Sequence, residues 1–489
     1  MIRRPPRSTL SSSSAASDVY KRQDKEGGIS KKPHPEALGS ALTNKFITTD
    51  FAEAQVELVT PTFEDVNDLY NFLYSLHVFV GQNIDDNEML WPFSMPPQIE
   101  DESDINLGFY HQSNIGLLKH VYRKGLKVRY GPTMQCVSGM HYNFSINPDS
   151  LAFLTNSNHQ VDIDEAYLGL IRNFKRLFWF VLLEFGQTNV VDKSFVNNRE
   201  HKLEKLNSND MYLLDATSLR MSDIGYQSKA QKNLNIKYNS LSGFLKKIKD
   251  AITVPYKDFE ALGLLDSNDE YHQISNGIIQ IENEYYDAIR PKRSSLNGLR
   301  PYNLLKEYGI EYLEVRGVDL LPDDITGTSV HHMQFLDIIL IYCLIDQSPK
   351  ISDDEKEKID LNDSKVIYKG RDKDTNIDKN NRVVNINEAR NEIIDDLKLV
   401  ASFFENSESF IESIEYVIGS VKGKIPDNSF HSDGVKKAKE NIKILRSNGS
   451  LNLDGIKKEA ELSLNKLKEI PENTNEEMNE FVKNYNLKL

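Results

Sequence analysis

Residues 139–146 read "GMHYNFSI", and apolar and polar side chains alternate along them. Alternation with a period of two is typical of a β-strand with one buried face. The apolar side carries Met140, Tyr142, Phe144 and Ile146. The other side carries His141, Asn143 and Ser145. The pattern predicts a strand, and it leaves open whether the polar face meets water or a reaction.

A second stretch, "IEYLEVRGVDL" at residues 310–320, has the same alternation. Leu313 and Val315 form its apolar side, opposite Tyr312, Glu314 and Arg316. Two strands with charge on one face each predict a sheet with one polar face. From pattern alone, the chain is a mixed α/β protein with that sheet as its candidate site.

The bulk composition sets limits on function. The 489 residues carry a formal net charge of -14, which disfavours nonspecific binding to nucleic acid or anionic membrane. The longest apolar run, "LFWFVLL" at 177–183, is far shorter than the ~20 residues that span a bilayer. Two cysteines, Cys136 and Cys343, are too few for a disulfide framework and suit the reducing cytoplasm.

The chain divides into three segments. Residues 1–23 are basic and serine-rich, resemble translated adapter sequence, and are expected to lie outside the fold. Residues 24–348 form the predicted catalytic core, with helices over about 64–83 and 164–185. Residues 349–489, rich in Lys, Glu, Asp and Asn, predict a helical C-terminal region with solvated faces.

Familiar nucleotide and zinc motifs are absent. The nearest approach to a phosphate-binding loop, "GSVKGKI" from Gly419, is one residue short and has Ile425 where a hydroxyl is needed. There is no GxGxxG, HExxH or CxxC, and the pair His331–His332 has no third ligand at zinc spacing.

Carboxylates in strand-like contexts remain: Asp50, Glu57 and Glu314. A buried ionised carboxylate needs a cation, and Mg²⁺ suits oxygen ligands that also meet phosphate. Taken singly, each acid also fits an exposed position or a structural ion pair. His141 alone also fits a hydrogen-bonded sheet histidine.

Seven uncommon stretches occur together in one order, from Pro33 to about Ser348. They are "HPEALGSALTNKFITTDFAEAQVELVTP", "MLWPFSMPP", "YRKGLKVRYG", "SGMHYNFSI", "ATSLRMSDIGYQSK", "IENEYYDAIRPKR" and "GIEYLEVRGVDL". In these stretches the chain resembles the glutamate–cysteine ligases of proteobacterial type. The C-terminal part agrees only loosely.

The resemblance implies an α+β fold of the glutamine-synthetase type, in which a curved, largely antiparallel sheet has a concave active-site face and is packed by helices. It implies a ligase that phosphorylates the γ-carboxylate of glutamate with ATP and transfers the acyl group to cysteine, the first step of glutathione biosynthesis. Mg²⁺, or Mn²⁺ in its place, would be the metal, and small molecules the only partners of a cytoplasmic monomer.

The resemblance also implies roles for particular residues. Metal ligands would be Asp50, Glu57, His141 and Glu314. Arg316 would stabilise charge on the transferred phosphoryl group, and Asp50 is a candidate proton acceptor. Arg220 would bind the α-carboxylate of glutamate, and the cysteine site would be formed by Phe51, Tyr122, Leu126, Gln135, Tyr226 and Tyr286.

The chain departs from this family at one place. Ahead of the His-Pro-Glu-Ala segment, the family carries a Gly-x-Glu-Arg-Glu strand with two metal-binding glutamates. Here "DKEGGISKK" and the adapter-like residues stand instead, so two ligands and one sheet strand are expected to be missing. Two alternatives therefore stay open: a related ligase with another amine acceptor, or an inactive fragment that binds nucleotide or glutamate.

Overall fold

The structure is a computed structural model that describes residues 12–197, 199–225, 228–296 and 298–489. The strands are β1 Ser12–Gln23, β2 Ile47–Thr49, β3 Gln55–Val59, β4 Met89–Trp91, β5 Met140–Ile146, β6 Val190–Asp192, β7 Glu204–Lys205, β8 Asp210–Tyr212, β9 Ile289–Lys292, β10 Tyr312–Val318, β11 Asn376–Lys379 and β12 Arg382–Asn385. The helices are α1 Val66–Asn83, α2 Asn114–Tyr130, α3 Pro148–Thr155, α4 Gln160–Phe185, α5 Lys193–Val196, α6 Lys229–Lys232, α7 Leu241–Thr253, α8 Lys257–Glu260, α9 Pro301–Tyr308, α10 Val330–Ile345, α11 Asp353–Lys369, α12 Ile386–Ala401, α13 Ser407–Gly419, α14 Phe430–Ser447, α15 Leu453–Lys468 and α16 Asn475–Leu487.

The main sheet runs in the order β2-β3-β1-β5-β10-β9, and β4 also pairs with β1. Each of these pairings is antiparallel. The predicted largely antiparallel sheet is therefore confirmed. Its strands β5 and β10 are the two that the alternating sequences indicated.

The face of the main sheet that carries Tyr142 and Phe144 is called the lower face here, and it forms part of the hydrophobic core. Tyr142 and Phe144 are fully buried there. The Tyr142 hydroxyl donates to Asp337 of α10 at 2.8 Å, and the Ile146 amide donates to the Tyr167 hydroxyl of α4 at 3.1 Å. Because α4 and α10 cover this face, His141 and its alternate neighbours lie on the opposite face of the sheet.

The two predicted helices of the core are confirmed with small shifts at their starts. Asp65 caps α1 by accepting from the Asn67 amide at 2.6 Å, so the helix begins at Val66. Helix α4 begins at Gln160 rather than at 164. The apolar run 177–183 lies inside α4, where most of its side chains are buried.

The C-terminal region is helical, as predicted, with one addition. Strands β11 and β12 form a hairpin whose turn residues Asn380 and Asn381 have φ values of 55° and 64°. Two residues at positive φ make a turn that suits the twist of a hairpin, and Asn tolerates that conformation. The predicted segment boundary at residue 348 stays a prediction.

The expectation that residues 1–23 lie outside the fold, and that a sheet strand is missing, is wrong for residues 12–23. They form β1, which pairs with β3 and β4 on one side and with β5 on the other. The space between β3 and β5 is thereby filled by backbone hydrogen bonds, which depend little on side-chain identity. The adapter-like composition did not prevent strand formation. Residues 1–11 lie outside the described part of the chain.

The side chains of β1 suit this position unevenly. Arg22 is well placed, since its Nη1 donates to Glu88 at 2.7 Å. Asp18 is fully buried on the lower face, and neither of its carboxylate oxygens has a hydrogen-bond partner among the described residues. Burial, and then the charge of Asp324, raise the pKa of Asp18 well above its ordinary value of 3.8.

Among the described residues, no helix is long and apolar enough to cross a membrane.

The buried Asp18 predicts a stabilising substitution. Asp18→Asn should raise the free energy of unfolding at neutral pH by about 1–3 kcal/mol, because it removes an uncompensated buried charge. The folded-state pKa lies above 3.8, so the gain should shrink as the pH falls and vanish below 3.8, where Asp18 is protonated in both states. Urea titrations at several pH values measure this, with exposed Asp395→Asn as control. An equal gain at every pH would contradict the electrostatic explanation.

Candidate active site

The face of the main sheet opposite the hydrophobic core, called the upper face here, brings together acids from separate strands. Glu314 of β10 lies directly opposite Asn143 of β5 in the pairing register, and His141 lies opposite Ser17 of β1. Glu57 of β3 lies opposite Val19 of β1. Residues opposite each other in an antiparallel pair share one face of the sheet. The predicted polar face is therefore continuous across four strands.

A cavity of about 340 Å³, here called the sheet cavity, lies over this face. Ten of the twelve predicted site residues line it: Asp50, Phe51, Glu57, Tyr122, Leu126, Gln135, His141, Tyr286, Glu314 and Arg316. Tyr226 lies outside the described residues. Helix α2 supplies Tyr122 and Leu126, one helical turn apart, so both face the sheet.

Arg220 does not line the sheet cavity. It is buried behind it, where its Nε donates to Asp319 at 2.6 Å. Its other nitrogens reach the cavity lining, since Nη1 donates to the Tyr286 hydroxyl at 3.1 Å and Nη2 to the Arg316 carbonyl at 3.2 Å. A Cβ atom at Gly139, just before β5, would lie 2.7 Å from Arg220 Cζ and 2.8 Å from the Val318 carbonyl oxygen, so glycine is needed at this position.

Asp50 and Glu57 form a carboxylate pair with no salt bridge to any described residue. Ser17 donates to Glu57 Oε1 at 2.7 Å. Burial raises the pKa of Glu57, and the nearby charge of Asp50 raises it further. The backbone carbonyl of Asp50 accepts from Arg123, which holds this loop against α2. Two adjacent carboxylates that repel each other fit a hard divalent cation.

Glu314 has the opposite environment. Arg290 donates to it with Nη2 at 2.5 Å and with Nε at 3.0 Å. Lys292 lies 3.7 Å and Arg316 3.2 Å from the same carboxylate. Burial alone would raise the pKa of Glu314, but these three cations hold it well below its ordinary value. Glu314 is thus ionised and already compensated by protein cations.

His141 lies on β5, beside these acids. Burial lowers its pKa well below the ordinary value, and the charge of Arg316 lowers it further. A neutral imidazole can act as a metal ligand. In the part of the chain that the structure describes, however, no three His, Cys, Asp or Glu side chains converge closely enough to form a metal centre. Asp50 and Glu57 are therefore the pair that best fits a divalent cation.

Four cations of the sheet cavity were not singled out from sequence. They are Lys119, Arg123, Arg290 and Lys292. Lys119 and Arg123 are four residues apart on α2, whereas Arg290 and Lys292 are two apart on β9. Helical and strand periods thus bring each pair to one face, a signal present in "LLKHVYRKGLKVRYG" and "IRPKR". Burial and the charge of Arg123 lower the pKa of Lys119 to about 8.

Strand β1 contributes no acid to the upper face. Its residues on that face beside Glu57 and His141 are Val19 and Ser17. The single acid of β1, Asp18, lies on the lower face, next to the charge of Asp324. In the family, this strand carries two metal-binding glutamates. Here the strand is present, but no carboxylate stands on the side of it that faces the cavity.

The carboxylate pair predicts a measurable cation affinity. Glu57→Gln should weaken Mn²⁺ binding by at least about tenfold, because removing one of two adjacent acids removes half the local negative charge. Electron paramagnetic resonance of free Mn²⁺ measures this without any catalytic assay. The exposed Glu64→Gln serves as the matched control. Equal affinities in wild type and Glu57→Gln would rule out this pair as a cation site.

Adding an acid to the upper face of β1 should raise the affinity for Mn²⁺. Ser17→Glu places a further carboxylate between Glu57 and His141, and should raise Mn²⁺ affinity by about tenfold or more through added ligand charge. Ser13→Glu is the control, because Ser13 lies on the same face but opposite Ser145, farther along the strand. If both variants bind Mn²⁺ equally, the added negative charge acts wherever it stands on β1, and the cation does not bind beside Ser17.

Comparisons with known proteins agree on one family. A family model described as glutamate-cysteine ligase matches residues 19–366. A relative from Hahella chejuensis, named glutamate–cysteine ligase, is 42% identical over 74% of this chain and 71% of its own length. One of the same name from Pseudomonas putida is 38% identical over 83% of this chain and 77% of its own length.

Solved structures agree on the fold. A glutamate–cysteine ligase from Francisella tularensis in complex with AMP superposes with a TM-score of 0.92 at 29% identity, covering 98% of this chain and 99% of that one. A bifunctional glutathione synthetase from Pasteurella multocida has a TM-score of 0.60 at 21% identity, covering 94% of this chain and 52% of that one. The second likeness concerns the fold alone.

Proposed function

The chain belongs to the glutamate–cysteine ligase family, and from that premise we propose that it joins the γ-carboxylate of L-glutamate to the amino group of L-cysteine, with ATP converted to ADP and phosphate. The observation that carries the proposal is the 98% coverage of this chain by a glutamate–cysteine ligase structure that holds AMP. The product would be γ-glutamylcysteine, on the way to glutathione.

The charge distribution of the sheet cavity supports this chemistry. A triphosphate and a carboxylate must approach each other, and both are anions. Arg290, Lys292 and Arg316 form a cationic group around Glu314, and Lys119 and Arg123 add two more cations from α2. Fixed cations in a partly buried cavity stabilise negative charge more than water does. We assign Arg316 to the transferred phosphoryl group, because its planar fork can meet two oxygens at once.

A divalent metal, Mg²⁺ or Mn²⁺, would be held by Asp50 and Glu57, with His141 and Glu314 beside them. When bound, it would reduce the repulsion between nucleotide and glutamate and align the phosphoryl group. Glu314 would also orient the guanidinium groups of Arg290 and Arg316, to which it is bonded at 2.5 and 3.2 Å. Ser17 orients Glu57 through its hydrogen bond of 2.7 Å.

The substrate assignments rest on the family resemblance and on the residues that line or adjoin the sheet cavity. Arg220 is proposed to bind the α-carboxylate of glutamate next to Gly139, because the absence of a side chain at Gly139 leaves room for the guanidinium, which bonds to Tyr286 of the cavity lining. The cysteine side chain would meet Phe51, Tyr122, Leu126, Gln135 and Tyr286 of the sheet cavity. The family resemblance adds Tyr226, which lies outside the described residues. The proton of the cysteine amine would pass to Asp50, whose carboxylate carries no salt bridge to a described residue.

A monomer in the reducing cytoplasm completes the proposal. Cys136 and Cys343 are both buried and free, which is compatible with a reducing environment. The two alternatives, a related ligase with another amine acceptor and an inactive binding fragment, are not favoured, because the relatives are named glutamate–cysteine ligase.

Enzyme incubated with ATP, Mg²⁺, glutamate and cysteine should release ADP, and release should require glutamate. Replacing cysteine with 2-aminobutyrate should preserve much of the turnover, whereas serine should be poorer, because an apolar pocket discriminates against a hydroxyl. A coupled ADP assay with product identification by mass spectrometry measures both. Glutamate-independent ADP release, or a preference for serine, would contradict the proposed reaction or the assigned pocket, respectively.

Arg316→Lys is the accompanying variant. It keeps the charge but removes the fork, so it should lower kcat by about tenfold or more while leaving folding intact. Circular dichroism confirms the fold. An unchanged kcat would contradict the role assigned to Arg316 in phosphoryl transfer.

A further inference from the structure

A second cavity, of about 380 Å³, adjoins the sheet cavity and is called the Asp363 cavity here. The two cavities share Ser228, Gln231 and Tyr286 as lining residues. Tyr286 connects this shared lining to Arg220 behind the sheet cavity. Its hydroxyl accepts from Arg220 at 3.1 Å, and its amide donates to Gln231 at 2.9 Å. Apart from Tyr286 in the shared lining, the proposed reaction assigns no role to a residue of the Asp363 cavity.

Several charges of this cavity are compensated within the protein. Lys175 of α4 bonds Asp287 at 2.6 Å, and the hydroxyls of Tyr238 and Tyr285 each donate to the same carboxylate at 2.9 Å. On α11, Lys356 pairs with an acid one turn later, Asp360, at 2.5 Å. These groups are satisfied and have little left to offer a ligand.

Asp363 is different. It lines the cavity from α11, and its Oδ1 is shielded from solvent with no hydrogen-bond partner among the described residues. Burial raises its pKa to about 8, which the positive charge of Lys175 only partly offsets. A shielded carboxyl oxygen without a partner gains a hydrogen bond when a ligand brings a donor.

Two lysines complement this acid. Lys202 and Lys232 line the same cavity with exposed side chains, and neither forms a salt bridge with a described residue. Lys202 lies over the ring of Tyr368 at 5.5 Å, which holds its ammonium near the cavity. Asp223 also lines the cavity, and its carboxylate accepts from the Tyr368 hydroxyl. The lining groups without a salt bridge to a described residue are therefore the carboxyls of Asp363 and Asp223 and the ammonium groups of Lys202 and Lys232.

We propose that the Asp363 cavity is a second small-molecule site, which binds a zwitterionic amino acid or short peptide through its ammonium group at Asp363 and its carboxylate at Lys202 and Lys232. Apolar side chains of Phe178, Leu234 and Ile367 form the remaining contacts. The shared wall at Tyr286 means that such a ligand lies next to the sheet cavity without entering it. This site goes beyond the proposed reaction and does not depend on it.

The probe is glycylglycine, titrated by calorimetry into the full chain without ATP or metal. Wild type should bind it, whereas N-acetylglycylglycine and glycylglycine amide should each bind at least about tenfold more weakly, because each lacks one charged end. Equal binding of the three peptides would overturn the proposal, and so would no binding of glycylglycine.

Variants locate the binding. Asp363→Asn should weaken glycylglycine binding by at least about tenfold, which corresponds to about 1.4 kcal/mol. The double variant Lys202→Met/Lys232→Met should do the same, and because both lysines are exposed it keeps the test valid if Asp363→Asn misfolds. Asp395→Asn, exposed on α12, is the matched control and should bind as wild type.

Lys292→Met separates the two cavities. Of these two cavities, Lys292 lines the sheet cavity and not the Asp363 cavity, so this variant should keep wild-type affinity for glycylglycine. If Lys292→Met loses binding and Asp363→Asn does not, the peptide binds in the sheet cavity and the second site is refuted. ADP release is measured separately, so failure of the second site leaves the proposed reaction standing, and failure of the reaction leaves the binding result interpretable.

Discussion

The two-residue alternation of β5, held between β1 and β10, is the constraint on which the site depends. Its apolar side chains are buried against α4 and α10, so a slip of one residue would bury His141 and expose Tyr142. That penalty keeps β5 in register, and the pairing of β10 with β5 then sets Glu314 on the same face. Burial below the sheet thus positions the chemistry above it.

Electrostatics divide the sheet cavity into two halves. Around Glu314 the protein supplies its own cations and the acid is fully compensated. Asp50 and Glu57 meet without a salt bridge to a described residue, and burial and the charge of Asp50 raise the pKa of Glu57, which the charge of Lys119 only partly offsets. The cations around Glu314 suit the anionic groups of a nucleotide, and the two acids suit the divalent cation of the proposed reaction.

Strand β1 illustrates how backbone and side chains can disagree. Its backbone completes the centre of the sheet, since main-chain hydrogen bonding is nearly independent of sequence. Asp18 is buried on one face without a hydrogen-bond partner among the described residues, and Ser17 and Val19 lie beside the acids on the other face. A segment read from composition as foreign to the fold therefore occupies a central position, which composition had no means to reveal.

The sequence by itself determined the strands β5 and β10 and the helices α1 and α4, because periodicity is a local property. Its uncommon motifs also indicated the family, and through it ten residues that line the sheet cavity. Only the tertiary structure decided that Arg220 lies behind the cavity, that Arg290 and Lys292 compensate Glu314, and that residues 12–23 enter the sheet. These are contacts between residues far apart in the chain, and their energies depend on burial and distance, which no local pattern encodes.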